Sequence, residues 1–185
     1  MTRHPQLLDS RNAGLLIVDI QEKLIGKMAS PRLVLENTIR LIRAFRELKR
    51  PVMLTEQYPR GLGHTVPEIH QWVTDIPVQE KLDFSCCGMD GFTASLRAQK
   101  ITQVVVCGIE THVCIWQTAM DLQHHGFMSM VIGDAVSSRT ADNHQNALNR
   151  MMQHSIEVAS TEMALFEMLR RAGTDAFRMI HQLIV

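Results

Sequence analysis

Two hydrophobic rhythms alternate along this chain. Ala13-Gly14-Leu15-Leu16-Ile17-Val18-Asp19 is a continuous apolar run closed by a carboxylate, the pattern of a strand buried on both faces. After Ser30-Pro31, a cap followed by proline, the residues Leu33, Ile39, Leu41, Ile42, Phe45 and Leu48 recur at helical spacing to about Lys49. The alternation then repeats. Strands are predicted at 51–56, 76–81, 104–107, 128–132 and 155–158. Helices are predicted at 91–98, from Thr111 to His124, at 142–154, at 161–170 and at 176–184. Gln57 to Gly63 and Phe84 to Asp90 read as loops. This order implies an α/β fold of three layers: a six-stranded, mostly parallel sheet with helices on both faces, Rossmann-like in architecture. No linker, repeat or low-complexity tract divides it, so 1–185 reads as a single domain.

Composition narrows the partners. Lys+Arg and Asp+Glu balance at 19 each, which gives no electrostatic reason to expect nucleic acid or an anionic membrane surface. No apolar run approaches the ~18 residues of a membrane span. Met1-Thr2-Arg3-His4-Pro5 has no apolar region after it, so no secretory signal is expected. The four cysteines, Cys86, Cys87, Cys107 and Cys114, fit neither a disulfide framework nor a zinc pattern; reduced thiols and a cytosolic location are expected. No metal and no cofactor are expected.

Ligands of open parallel sheets bind at the carboxyl ends of strands. Three such ends here carry reactive groups. Asp19 closes the first strand, Lys81 ends the third, and Cys114 follows the fourth, in the first turn of a helix that Thr111 is placed to cap. That helix is expected to bury Val113, Trp116 and Met120 on one face, and its dipole to favour a thiolate at Cys114. Singly, each residue has a bland reading: a core cysteine, a solvated lysine, a strand-end acid. Together, a carboxylate, an ammonium and a thiol make a workable nucleophilic site.

On these residues the sequence resembles the isochorismatase-like cysteine hydrolase family. Asp19 in LLIVDIQ, Lys81 in VQEKLDFS and Cys114 in GIETHVC stand at the family's three motifs, and Asp134 to Arg139 matches as well. The Glu56-Gln57-Tyr58-Pro59 loop is similar to that of the isochorismatase domain-containing subgroup. The resemblance implies an Asp19–Lys81–Cys114 catalytic triad and a cis peptide between Ile109 and Glu110. It also implies an oxyanion hole built from the backbone N–H groups of Glu110 and Cys114. The Glu110 side chain is assigned a buried ion pair. Gln57, Tyr58, Phe84 and Ile109 are the expected substrate contacts. Cys86 and Cys87 read as incidental, and the loop from Ser137 to His144 as polar cover for a subunit contact. The implied activity is hydrolysis of a small-molecule amide C–N bond through a thioester. Vinyl-ether hydrolysis, as in isochorismatase proper, and an idle binding member of the fold are the alternatives. A homo-oligomer, dimer or tetramer, is expected. The metal site of the nicotinamidase branch is missing its Asp-x-His arrangement, since only His64 and His70 stand in that region.

Overall fold

The computed structural model describes residues 3–184; Met1, Thr2 and Val185, which belong to the stretch read for a secretory signal and to the expected 1–185 domain, lie outside them. The strands are β1 (Ala13–Val18), β2 (Val52–Gln57), β3 (Val78–Lys81), β4 (Gln103–Ile109), β5 (Met128–Ser137) and β6 (Glu157–Ala159). They form one sheet of order β3-β2-β1-β4-β5-β6, and every pairing is parallel. The helices are α1 (Glu22–Ile25), α2 (Pro31–Glu47), α3 (Pro59–Leu62), α4 (Pro67–His70), α5 (Phe92–Ala98), α6 (Trp116–His124), α7 (Ala141–Gln153), α8 (Thr161–Leu169) and α9 (Asp175–His181). Among the described residues no helix is long and apolar enough to cross a membrane.

The period-two alternation of the strands splits the core in two. Leu15, Ile17, Leu54, Val105 and Ile132 face Val34, Leu41 and Phe45 of α2, Leu165 of α8 and Ile180 of α9. Leu16, Val18, Met53, Val106 and Val131 face Leu96 of α5, Leu122 of α6 and Met151 of α7. Successive strand residues point to opposite faces, so each uninterrupted apolar strand feeds both cores. The chain reverses its direction of build between β1 and β4. The carboxyl ends of these two strands are therefore the topological switch point, where such sheets bind ligands.

Gly108 sets how closely those two strand ends approach. Its φ is +119°, and a Cβ there would stand 2.1 Å from the carbonyl oxygen of Val18, the residue before Asp19. That neighbour is backbone and cannot swing aside. Gly108→Ala is expected to destabilise the protein by about 3 kcal/mol or more through overpacking and backbone strain, read as a lower urea midpoint. A native-like midpoint would contradict the packing described here.

Several elements differ from the sequence reading. Ser30 precedes α2, but its side chain accepts no capping bond. Strand β5 continues past Gly133-Asp134 to Ser137, because a register shift lets Gly108 pair with Val136. Asp134 then turns its Oδ1 to the N–H and hydroxyl of Thr161, both at 2.8 Å. The helix after β4 is not regular from Thr111. Thr111–Ile115 forms a π turn, and α6 begins only at Trp116. The wider turn rotates the phase of the α6 side chains by about 100° per extra residue. Thr118, Ala119 and Leu122 face inward, and Val113, Trp116 and Met120 lie half-buried at the flank.

Candidate active site

Asp19, one residue past β1, takes a left-handed conformation (φ +55°), which aspartate tolerates better than most residues. The turn brings a fully buried carboxylate over the strand ends. Its Oδ2 accepts from Lys81 Nζ at 2.6 Å. Its Oδ1 accepts from the Thr55 hydroxyl at 2.8 Å, from the neighbouring strand, where Val18 and Thr55 are in register.

Lys81 reaches this point from the edge strand β3, with its side chain buried. Besides Asp19, its ammonium donates to Gln57 Oε1 (2.8 Å), the Phe84 carbonyl (3.1 Å) and the Asp83 carbonyl (3.3 Å). Burial by itself lowers the lysine pKa. The charge of Asp19, with the nearby Cys114 and Cys86, outweighs it and holds Lys81 above its ordinary value. Lys81 is therefore a fixed cation with its donors already engaged.

The third group is Cys114, on the π turn and nearly buried. Burial, with the charge of Asp19, pushes its thiol up to about 12 against the opposing charge of Lys81. The expected thiolate at rest is thus replaced by a neutral thiol. The desolvation of this pocket exceeds what a single turn of helix dipole supplies. Within the turn, Val113 and Ile115 donate to the Glu110 carbonyl at 3.1 and 3.2 Å. Among the described residues, no backbone acceptor outside the regular ladders takes the N–H of Glu110 or of Cys114. The Ile109–Glu110 peptide is cis.

A family model for the isochorismatase domain matches residues 13–163. The chain belongs to the isochorismatase family. It is 35% identical over 178 residues to "Isochorismatase domain-containing protein 2" of Danio rerio, covering 96% of this chain and 89% of that protein. It is 36% identical to "Secreted isochorismatase effector Isc1" of Phytophthora sojae, covering 92% and 83%. A solved structure described as a MAR1 ribonuclease from Caenorhabditis elegans superposes with a TM-score of 0.90 at 32% identity, covering 96% of this chain and 91% of that one. The isochorismatase membership makes the chain a hydrolase of that family and places it with the domain-containing subgroup.

Within this isochorismatase domain three of the other expected site residues, Gln57, Tyr58 and Phe84, lie around Lys81, and the fourth, Ile109, does not. Gln57 is placed differently from its expected role: its oxygen holds Lys81, and its Nε2 donates to the Leu82 carbonyl at 2.7 Å. Both polar ends are used internally, so it positions the lysine. Ile109 is wholly buried in the core on the α2 side, away from the core that holds Cys114, because the strand alternation points it there. Its side chain is packing. Tyr58 is half-exposed and lines a cavity of about 290 Å³ with Pro59, Arg60, Glu80, Leu82 and Lys81 itself, so it stands beside the site. Phe84 offers its carbonyl to Lys81, while the residue as a whole is 52% exposed. Glu110 pairs with Arg139 Nε at 3.0 Å, and with Arg139 58% exposed this is an ion pair at the surface, not a buried one. Trp116 lies under the Arg150 guanidinium, 4.3 Å from its ring centroid. The loop after β2 is pinned by Gln21, which exchanges hydrogen bonds with the Gln57 backbone at 2.8 and 3.0 Å. Glu56 pins it too, accepting from the N–H and hydroxyl of Thr65 and lying 3.1 Å from His64 Nδ1.

Two participants were missed from the sequence. Thr55 has a weak signal, a hydroxyl at the end of a buried strand beside β1. Cys86 has none, since adjacent cysteines in a loop look incidental. It is wholly buried, and both Asp19 and Lys81 act on its thiol, which burial raises to about 12. A cavity of about 550 Å³ opens among Arg3, Asp9, Gln103 and Arg170 at the amino ends of the strands, remote from all of these groups.

Proposed function

We propose that this chain hydrolyses the C–N bond of a small amide through a thioester on Cys114. The observation that carries this reading is a buried Asp19 carboxylate held on both oxygens, by Lys81 at 2.6 Å and Thr55 at 2.8 Å, close to a Cys114 thiol whose pKa burial raises. The sulfur of Cys114 attacks the carbonyl carbon as its proton passes to Asp19. The C–S bond forms, and the carbonyl π pair moves to oxygen. The N–H groups of Glu110 and Cys114 hold that oxyanion. As the intermediate collapses, the C–N bond breaks and Asp19 returns the proton to the leaving amine. Water then attacks the thioester, Asp19 takes its proton, and the acid and the thiol are released. Lys81 stays protonated throughout and holds Asp19 in place.

The C. elegans neighbour is described as a ribonuclease. Ribonuclease chemistry is not part of this reading. The chain's charges balance, and the lysine at the centre is buried with its donors engaged. The four free thiols are compatible with a reducing compartment, so a cytosolic location belongs to the proposal. So does assembly into a dimer or tetramer, supported by the exposed Tyr58, Leu82 and Phe84 side chains.

The test is amine release from a panel of small amides by native protein and by Cys114→Ala. Turnover in the native protein and none in the variant is the expected result. Amide hydrolysis that survives the substitution would overturn Cys114 as the nucleophile; the vinyl-ether reaction, which needs Asp19 but no thioester, releases no amine and would leave both proteins silent on this panel.

A further inference from the structure

Glu110 and the first two residues of the turn that carries Cys114, Thr111 and His112, are each tied, by side chain, to one connection. Glu110 Oε2 accepts from the backbone N–H of Arg139 at 3.3 Å and from its Nε at 3.0 Å. Thr111 Oγ1 lies 3.0 Å from His144 Nδ1. His112 Nδ1 lies 2.9 Å from Ser138 Oγ. Ser138, Arg139 and His144 all belong to the passage from β5 into α7. Thr111 and Ser138 are fully buried, so two of the three ties are sheltered from water and stronger for it.

The passage is itself anchored. The Ser138 carbonyl accepts from Ala29 N–H at 2.9 Å, and Ser137 Oγ from Ser30 N–H at 3.3 Å. Thr140 caps α7 by accepting from Asn143 N–H at 3.2 Å, and His144 N–H returns to the Thr140 carbonyl at 3.2 Å. His144 thus stands in the first turn of a capped helix, on a rigid base.

We propose that this β5–α7 connection is a strap that orients the Glu110–Cys114 segment, with Ser138, Arg139 and His144 as positioning residues. None of them touches the reacting atoms. Their effect passes through the direction of two N–H groups, which must already point at the developing oxyanion. The inference rests on the hydrolase reading above for its catalytic consequence, but the ordering of the segment can be read without turnover. It gives the loop from Ser137 to His144, expected to cover a subunit contact, a role within the chain.

The test uses the full chain with Arg139→Ala, a substitution of an exposed side chain, and His144→Ala, with His144→Asn to restore a hydrogen-bonding group near the Nδ1 position. Three readouts are taken. For acyl transfer, kcat is expected to fall about tenfold or more in each alanine variant with KM within about twofold, and to recover in His144→Asn. Alkylation of Cys114 by iodoacetamide, a displacement that develops no oxyanion on the substrate carbonyl, is expected to stay within about twofold of native. Amide hydrogen exchange is expected to rise at 110–115 in both alanine variants. Unchanged exchange, or alkylation falling in step with acyl transfer, overturns the strap. If the native protein acylates with no amide while exchange rises as expected, the hydrolase mechanism falls and the strap stands as what orders this segment.

Discussion

Asp19→Asn is expected to lower acyl transfer by about 10²- to 10⁴-fold, the range for losing a positioned proton acceptor. Asparagine keeps the shape and one oxygen, which can accept from Lys81 while its NH2 donates to the Thr55 hydroxyl, so the positions of the groups are largely kept while the proton acceptor is removed. The pH dependence should change as well. In the native protein the thiol proton passes to Asp19, so a Cys114 thiol raised to about 12 by burial does not have to ionise into solvent. In the variant it must. Removing the carboxylate's charge draws the thiol pKa down from that value but does not undo the burial. Thiolate remains the minor form, and its fraction rises about tenfold per pH unit below its pKa. Residual activity of Asp19→Asn is therefore expected to climb steadily from neutral to alkaline pH. A residual rate independent of pH would contradict Asp19 as the acceptor.

Lys81→Met is expected to cost about 3–5 kcal/mol of stability, the range for stranding one partner of a buried ion pair. Both side chains are almost completely buried. Without the ammonium, Asp19 keeps only the Thr55 hydroxyl. The reverse loss should be milder. In Asp19→Asn the ammonium still has Gln57 Oε1 and the carbonyls of Phe84 and Asp83. Lys81→Met should therefore destabilise more than Asp19→Asn, measured by chemical denaturation at neutral pH. Equal costs would mean that the carbonyl cage contributes nothing. The sign with pH is set by Lys81. Its folded pKa is raised, so the pair's contribution is complete below the unfolded lysine value. It is lost only as pH climbs through the raised one. The gap between native and Lys81→Met is expected to hold through neutral and mildly alkaline pH and to narrow in strong alkali.

Much of the fold was legible because buried parallel strands leave unbroken apolar runs and amphipathic helices leave period-3.6 stripes. Ala13–Val18 and Pro31–Glu47 were readable for these reasons. The π turn at Thr111–Ile115 was not. It is built from tertiary ties, His144 on Thr111 and Ser138 on His112, which no local spacing encodes. That one turn displaced the expected inward face of α6. The extra length of β5 was hidden for a related reason: Gly133-Asp134 look like a turn, but the register shift across β4 carries the strand past them. At the site, Asp19, Lys81 and Cys114 could be found because reactive groups at strand ends break an apolar pattern. Gln57 and Ile109 were assigned to substrate by proximity in sequence. Their contacts depend on which way a strand residue points, and strand alternation turned Ile109 into the opposite core. Cys86 reaches the site through a loop fold, with its N–H on Thr118 at 3.0 Å, and nothing in its neighbours announces that.

The central claim is a covalent acyl intermediate on Cys114, and intact-mass measurement after rapid acid quench tests it most directly. Native protein mixed with a panel of small amides is expected to gain the mass of one acyl group, mapped by fragmentation to Cys114 and not to Cys86, Cys87 or Cys107. Amide hydrolysis with no acyl-sized adduct at any quench time, persisting in Cys114→Ala, would contradict the mechanism.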